Sequence, residues 1–130
     1  MTREELKAAA IAMLDRAYVP YSRFPVGAAL ECADGTVFTG CNVENASYPA
    51  GLCAERNAIF HAVAEGHTDF VRIVVAGKSE GACVPCGVCR QVMREFAPKL
   101  EIICLNGAGE EEVYTLEELL PHSFGPEFLG

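Results

Sequence analysis

Apolar residues at Leu6, Ala9, Ala10, Met13, Leu14 and Ala17 recur at intervals of three and four, which predicts an amphipathic helix. Thr2 and Glu5 stand where a capping box opens such a helix, and Pro20 requires it to end beforehand. Two apolar-rich runs, Val26–Cys32 and Thr36–Asn42, then flank Asp34-Gly35, predicting a hairpin closed by a type I′ turn. Cys53–Ala64 reads as a second helix closed by Gly66, and Val71–Gly77 as a buried strand. Cys86–Phe96 reads as a third helix stopped by Pro98, and Glu101–Leu105 as a further strand. Strand, helix and strand in that order predict a parallel pair joined by a right-handed crossover. Glu112–Thr115 predicts a short strand, and Thr115–Leu120 a capped helical turn before Pro121.

Composition sharpens this outline. A chain of 130 residues is expected to form one domain spanning 1–130. Its 51% apolar and 22% charged residues exclude intrinsic disorder. Ten Lys and Arg against eighteen Asp and Glu leave a formal charge of -8, which disfavours nucleic acid and acidic membrane surfaces as partners. Residues 1–109 carry ten bases and twelve acids, whereas residues 110–130 carry six acids and no base. Such a run reads as a solvated surface. The first residues lack the apolar core of a leader, and no run approaches the roughly 20 apolar residues of a membrane helix. A cytoplasmic location, with reduced thiols, is expected. Seven cysteines, an odd number, then indicate metal binding or reactive thiols rather than a disulfide framework.

The candidate chemistry gathers at two helix starts, Cys53-Ala54-Glu55 and Pro85-Cys86-Gly87-Val88-Cys89. A helix N-terminus carries free N–H groups and partial positive charge, which favour thiolates. The C-x-x-C pair places two sulfurs on one side, about one turn apart. Three sulfurs with a fourth position open to water make a catalytic rather than a structural zinc site. Zinc lowers the pKa of water towards 7, so a nearby carboxylate that is not itself a ligand is needed to receive and redeliver the proton. Glu55, within one turn of Cys53, suits that role. The arrangement is that of zinc deaminases, H-x-E followed by P-C-x-x-C, with Cys in place of His here. Three thiolates would leave the metal electron-rich. Arg56 and Arg90 adjoin the motifs, and a guanidinium donating to a ligand sulfur would withdraw charge. Surface ion pairing is the other reading of each arginine.

Three spaced motifs together resemble the small homotetrameric cytidine deaminases: Cys41-Asn42-Val43-Glu44-Asn45-Ala46-Ser47-Tyr48-Pro49, Cys53-Ala54-Glu55-Arg56 and Pro85-Cys86-Gly87-Val88-Cys89-Arg90-Gln91. Tyr21-Ser22-Arg23-Phe24-Pro25-Val26-Gly27-Ala28-Ala29 and Leu119-Leu120-Pro121-His122-Ser123-Phe124-Gly125-Pro126 extend the likeness over nearly the whole chain. The resemblance implies a three-layer α/β/α sandwich around a five-stranded mixed sheet. It implies one zinc per chain on Cys53, Cys86 and Cys89, with Glu55 as proton shuttle. It implies that Asn42 and Glu44 bind the ribose hydroxyls, that Phe24 packs on the pyrimidine and that Ala54 lies against the substrate. Tyr48 and Phe124 match residues that the family brings to a neighbouring subunit, implying a homotetramer with composite sites. The implied reaction is hydrolytic deamination of cytidine and 2′-deoxycytidine in pyrimidine salvage.

Residue type alone leaves other readings open. Phe24 could be core, Asn42 and Glu44 could make turn contacts, Tyr48 could anchor a loop, and Phe124 could be a loose aromatic near a chain end. The remaining cysteines read as small buried residues. Rival functions are a structural zinc or nucleic-acid-binding module, a thioredoxin-like dithiol at Cys86 and Cys89, and a blasticidin S deaminase, which shares both zinc motifs. The first lacks a fourth ligand and a basic face, the second leaves Cys53-Ala54-Glu55 unexplained, and the Asn42–Asn45 run and Phe24 favour cytidine over the third.

Overall fold

The computed structural model describes residues 1–130. Its elements follow the order expected from the sequence. They are α1 (Arg3–Ala12), β1 (Val26–Cys32), β2 (Val37–Cys41), α2 (Ala54–Ala64), β3 (Phe70–Gly77), α3 (Gly87–Phe96), β4 (Glu101–Leu105), β5 (Glu111–Thr115) and α4 (Leu116–Leu119). The five strands form one mixed sheet in the order β2-β1-β3-β4-β5. β3 and β4 are parallel, with α3 between them in the chain, and every other neighbouring pair is antiparallel.

Period-two alternation explains the three layers. Ala28, Leu30, Ile73, Val75, Ile102 and Cys104 face one side of the sheet, where Ala58 and Ile59 of α2 and Cys89 and Met93 of α3 cover them. Ala29, Val74, Ala76, Ile103 and Leu105 face the other side, where Leu6 and Ala10 of α1 cover them. Both faces of β1, β3 and β4 are therefore apolar, and the α/β/α sandwich expected from the family resemblance is what forms.

Both capping boxes are made. Thr2 and Glu5 exchange hydrogen bonds at the start of α1, and Thr115 and Glu118 do so at α4. Two local expectations need correction. The first helix does not run regularly to Ala17, because Met13–Arg16 tighten into a 3-10 turn and Ala17 is extended. That extension lets the Tyr18 N–H reach the Asn42 carbonyl at 3.0 Å. The β1–β2 turn is not type I′, which needs positive φ at two central residues, since Gly35 has φ 90° and Asp34 is not positive. The Gly35 N–H donates to the Cys32 carbonyl at 3.0 Å and the Cys32 N–H to the Thr36 carbonyl at 2.8 Å, closing a three-residue loop. Asp34 Oδ1 accepts from the Thr36 N–H at 3.0 Å, so a side chain does the work of a second left-handed residue. The acidic C-terminal run is solvated as expected, all six of its carboxylates being exposed, and two of them also make ion pairs, Glu111 with Arg3 and Lys7, and Glu127 with Arg94.

Strand register decides where the chemistry lies. Gly27 is opposite both Cys41 of β2 and Ala76 of β3, and Ala76 is opposite Leu105 of β4. The C-terminal ends of β2, β3 and β4 are thus level, and α2 and α3 both begin beyond that edge on the same face. α2 comes close to the sheet at Gly40, where a Cβ would stand 2.5 Å from the Ala54 carbonyl oxygen and 2.6 Å from the Ala58 nitrogen. Those are backbone atoms that cannot rotate away. Gly40→Ala should lower the unfolding free energy by about 1–3 kcal/mol, measured as a lower urea midpoint. An unchanged midpoint would mean that α2 shifts freely on β2.

Candidate active site

Cys53 and Cys86 are the N-cap residues of α2 and α3, and Cys89 lies in the first turn of α3. Neither cap uses a side-chain hydrogen bond to close its helix. Their sulfurs turn instead towards each other. The three sulfurs lie within 4.8 Å of one another, and no other His, Cys, Asp or Glu completes the group. Cys53 Sγ and Cys86 Sγ are 3.7 Å apart. Zinc–sulfur bonds of about 2.3 Å would place tetrahedral ligand sulfurs about 3.8 Å apart, the spacing that Cys53 and Cys86 already show, so the donor set fits zinc. Three soft sulfur donors with the fourth position free of protein also match zinc in a catalytic rather than a closed site.

The charges around the sulfurs are arranged for thiolates. Arg56 Nη2 donates to Cys53 Sγ at 3.3 Å. Cys53 and Cys89 titrate as a pair, and the hydrogen bond from Cys89, helped by Arg56, holds the Cys53 thiol well below the ordinary range. The Arg56 Nε–H is buried without a partner, leaving an unspent donor beside the site. Arg90 behaves otherwise than expected. Its Nε donates to the Pro85 carbonyl and its Nη1 to the Leu119 carbonyl, each at 2.7 Å, so it joins the metal loop to the C-terminal segment rather than reaching a sulfur. Carbonyl oxygens outcompete a weak sulfur acceptor.

Glu55, 4% exposed, is the buried charged residue of the core. Burial pushes its carboxyl up to about 7, and the Cys53 charge adds to the rise. A carboxyl in that range can both release and take up a proton near neutrality. Ala54 is fully buried at the first position of α2, against Gly40. The other thiols are kept protonated by burial, Cys83 at about 11 and Cys104 at about 12.

A cleft of about 480 Å³ opens beside Cys53 and Arg56, with Asn42, Glu44, Tyr48 and Tyr21 among its walls. The volume is in the range of small-molecule sites. Its walls are tied together by backbone bonds. Val43 exchanges both main-chain hydrogen bonds with Leu52, the neighbour of Cys53, while Tyr18 bonds to Asn42 and Glu44 on the opposite side. Asn42 Oδ1 accepts from the Val26 N–H, and its Nδ2 donates to the Phe24 carbonyl, both at 2.9 Å. Glu44 Oε1 accepts from the Tyr21 and Ser22 N–H groups at 3.1 Å, and its Oε2 accepts from the Ser22 hydroxyl. These bonds pull the Glu44 carboxyl below its usual range, the Ser22 hydroxyl most strongly.

The remaining candidates are spread more widely. Phe24 is 43% exposed and so is not core, but it does not line this cleft. Tyr48, 78% exposed, does line it and meets Tyr21 edge-on at 6.4 Å. Phe124 is 56% exposed, stacks on Phe128 at 5.2 Å and lies outside the cleft. Gln91 holds the Phe124 carbonyl at 2.9 Å. Sequence reasoning does not reach Ser22 and Leu52 as site residues. Neither belongs to a metal or acid–base motif, and their partners Glu44 and Val43 are brought to them only by folding.

Comparison with known proteins agrees with this geometry. The family described as "Cytidine and deoxycytidylate deaminase zinc-binding region" matches residues 1–105. A cytidine deaminase from Sporosarcina psychrophila is 45% identical over 100% of this chain and 96% of its own. One from Halalkalibacterium halodurans is 48% identical over 98% and 97%. The crystal structure of cytidine deaminase from Burkholderia pseudomallei superposes with a TM-score of 0.92, at 50% identity, over 95% of this chain and 100% of that one.

The sulfur cluster makes a direct prediction. Cobalt(II), used as a spectroscopic substitute for zinc, should give intense sulfur-to-metal absorption with the unaltered chain. Cys53→Ala, Cys86→Ala and Cys89→Ala should each lose most of it, while Cys83→Ala should keep it. Retention in any of the first three would remove that sulfur from the ligand set.

Proposed function

Because the chain belongs to the cytidine and deoxycytidylate deaminase family, we propose that its sulfur cluster and cleft carry out the hydrolysis of cytidine and 2′-deoxycytidine to uridine and 2′-deoxyuridine, with release of ammonia. The observation that carries this reading is the meeting of three ligand-ready sulfurs with a buried carboxyl, Glu55, two residues after Cys53. Cys53, Cys86 and Cys89 would hold one zinc ion per chain. Zinc when bound supplies the Lewis acidity that makes water a nucleophile near neutral pH.

The chain's own residues do the rest. Glu55 takes the first proton from the attacking water and passes it to N3 of the pyrimidine, then takes the second from the hydroxyl added at C4 and delivers it to the departing amine. Water adds to C4, the C4–N4 bond breaks, and ammonia leaves with the delivered proton. Arg56 draws charge from Cys53 Sγ and keeps the three-thiolate set from quenching the metal's acidity. Phe24 and Ala54 would bear on the base, and Asn42 and Glu44 on the sugar.

Hydrogen-bond capacity supports both substrates. Each Glu44 oxygen can accept about two bonds, so the three donors already present leave a single acceptor site. Asn42 retains one donor and one acceptor site. That is enough to satisfy one sugar hydroxyl fully, without requiring a second. An uncharged nucleoside also suits a chain of formal charge -8.

The proposal extends to assembly and location. A single domain over 1–130 would form a homotetramer in which Tyr48 and Phe124, both exposed aromatics, complete a neighbour's site. Seven free cysteines fit a reducing cytoplasm, and no helix is long and apolar enough to cross a membrane.

Purified protein should remove the cytidine and deoxycytidine absorbance bands while leaving deoxycytidine monophosphate and blasticidin S largely unchanged. No loss of the cytidine band would overturn the reading, and preferential loss of blasticidin S would replace it. Glu55→Ala should keep its zinc and lose at least about a thousandfold in kcat. Arg56→Gln should keep zinc and lose about tenfold to a hundredfold. Light scattering should give four chains per particle.

A further inference from the structure

The Tyr21–Phe24 loop is held in an uncommon conformation by one short side chain. Arg23 has φ 55°, a left-handed backbone that non-glycine residues rarely adopt, and its N–H donates to the Val19 carbonyl at 3.0 Å. This turn presents Ser22 to two partners at once. The Ser22 hydroxyl donates to Glu44 Oε2 and accepts from the Phe24 N–H at 3.0 Å. It therefore connects the residue assigned to the sugar with the residue assigned to the base. The Ser22 and Tyr21 N–H groups occupy Glu44 Oε1, so Ser22 is the only side chain that holds the carboxylate.

Glu44 needs such a hold. It stands on an irregular segment at the rim of the cleft, and a free glutamate side chain samples many rotamers. Ordering it before the nucleoside arrives removes an entropic penalty from binding. The Ser22 bond also sets how the carboxylate is used, since it occupies Oε2 once and leaves the remaining lone pair for a sugar hydroxyl.

We propose that Ser22 is a positioning residue for nucleoside recognition, fixing the Glu44 carboxylate for one sugar hydroxyl and tying it to the Phe24 backbone. The inference rests on the assignment of Glu44 to the sugar made above. Ser22 is exposed, so its replacement by alanine leaves the core intact.

Steady-state kinetics of the zinc-loaded enzyme test it. Ser22→Ala should raise KM for cytidine about tenfold and leave kcat within about twofold, since the hydrogen bond acts on binding. Ser22→Thr, which keeps the hydroxyl, should restore KM to within about threefold. The inhibition constant of 2′,3′-dideoxycytidine, which lacks the 2′ and 3′ hydroxyls, should change less than about twofold in Ser22→Ala. Equal weakening of cytidine and the dideoxy analogue would mean general loosening of the loop and would overturn the inference. Glu44→Ala separates the two levels. If it raises KM for cytidine while Ser22→Ala does not, only the role of Ser22 falls. If Glu44→Ala itself leaves KM unchanged, the sugar assignment falls and takes this inference with it.

Discussion

Three sulfurs within 4.8 Å cannot all be anions unless a cation stands among them. This electrostatic constraint organises the structure around it. It asks for two helix N-termini side by side, because their partial positive charges favour thiolates. It asks for Arg56 against Cys53 Sγ at 3.3 Å. The hydrogen bond between Cys53 and Cys89 lowers the Cys53 thiol and raises that of Cys89.

The sheet meets the requirement through register. Cys41 and Ala76 are level through their common partner Gly27, so the loops leaving β2 and β3 begin α2 and α3 at one edge. Gly40 lets α2 lie against β2 at a distance that no side chain permits. Glu55 is buried as a consequence of this close packing, and burial is the main cause of its raised pKa. A stability feature of the sheet thereby becomes a chemical property of the site. The cleft is built on a different principle. Its wall at Asn42–Glu44 is held by hydrogen bonds to 18–26 on one side and to Leu52 on the other, with much of it exposed. Rigid packing surrounds the reacting end, and a polar network surrounds the recognition end. Leu52 joins them, one residue before Cys53.

The sequence anticipated the elements well because their causes are local. Thr2-x-x-Glu5 and Thr115-x-x-Glu118 each contain both halves of a capping box, and each forms one. The alternating residues of β1, β3 and β4 carry their burial pattern in one dimension. The failures occur where a distant partner competes. The Tyr18 N–H goes to Asn42, so helix 1 tightens and ends early. Arg90, placed beside a ligand motif, finds Leu119 carbonyl oxygen instead of sulfur. The Asp34-Gly35 turn recruits the Asp34 side chain rather than a second positive φ.

What the sequence determined by itself is the set of chemical parts: three cysteines at helix starts, a glutamate two residues after the first, and an arginine after that. Spacing within one turn of helix puts Glu55 and Arg56 near Cys53 in any fold that keeps α2. What only the tertiary structure decided is that Cys53 meets Cys86 across 33 positions at 3.7 Å. It also decided that Glu44 is held by Ser22, and that Arg90 serves the C-terminal segment. Each of these depends on strand register and on competition among hydrogen-bond acceptors. Those are properties of three-dimensional packing, which brings together groups far apart in the chain.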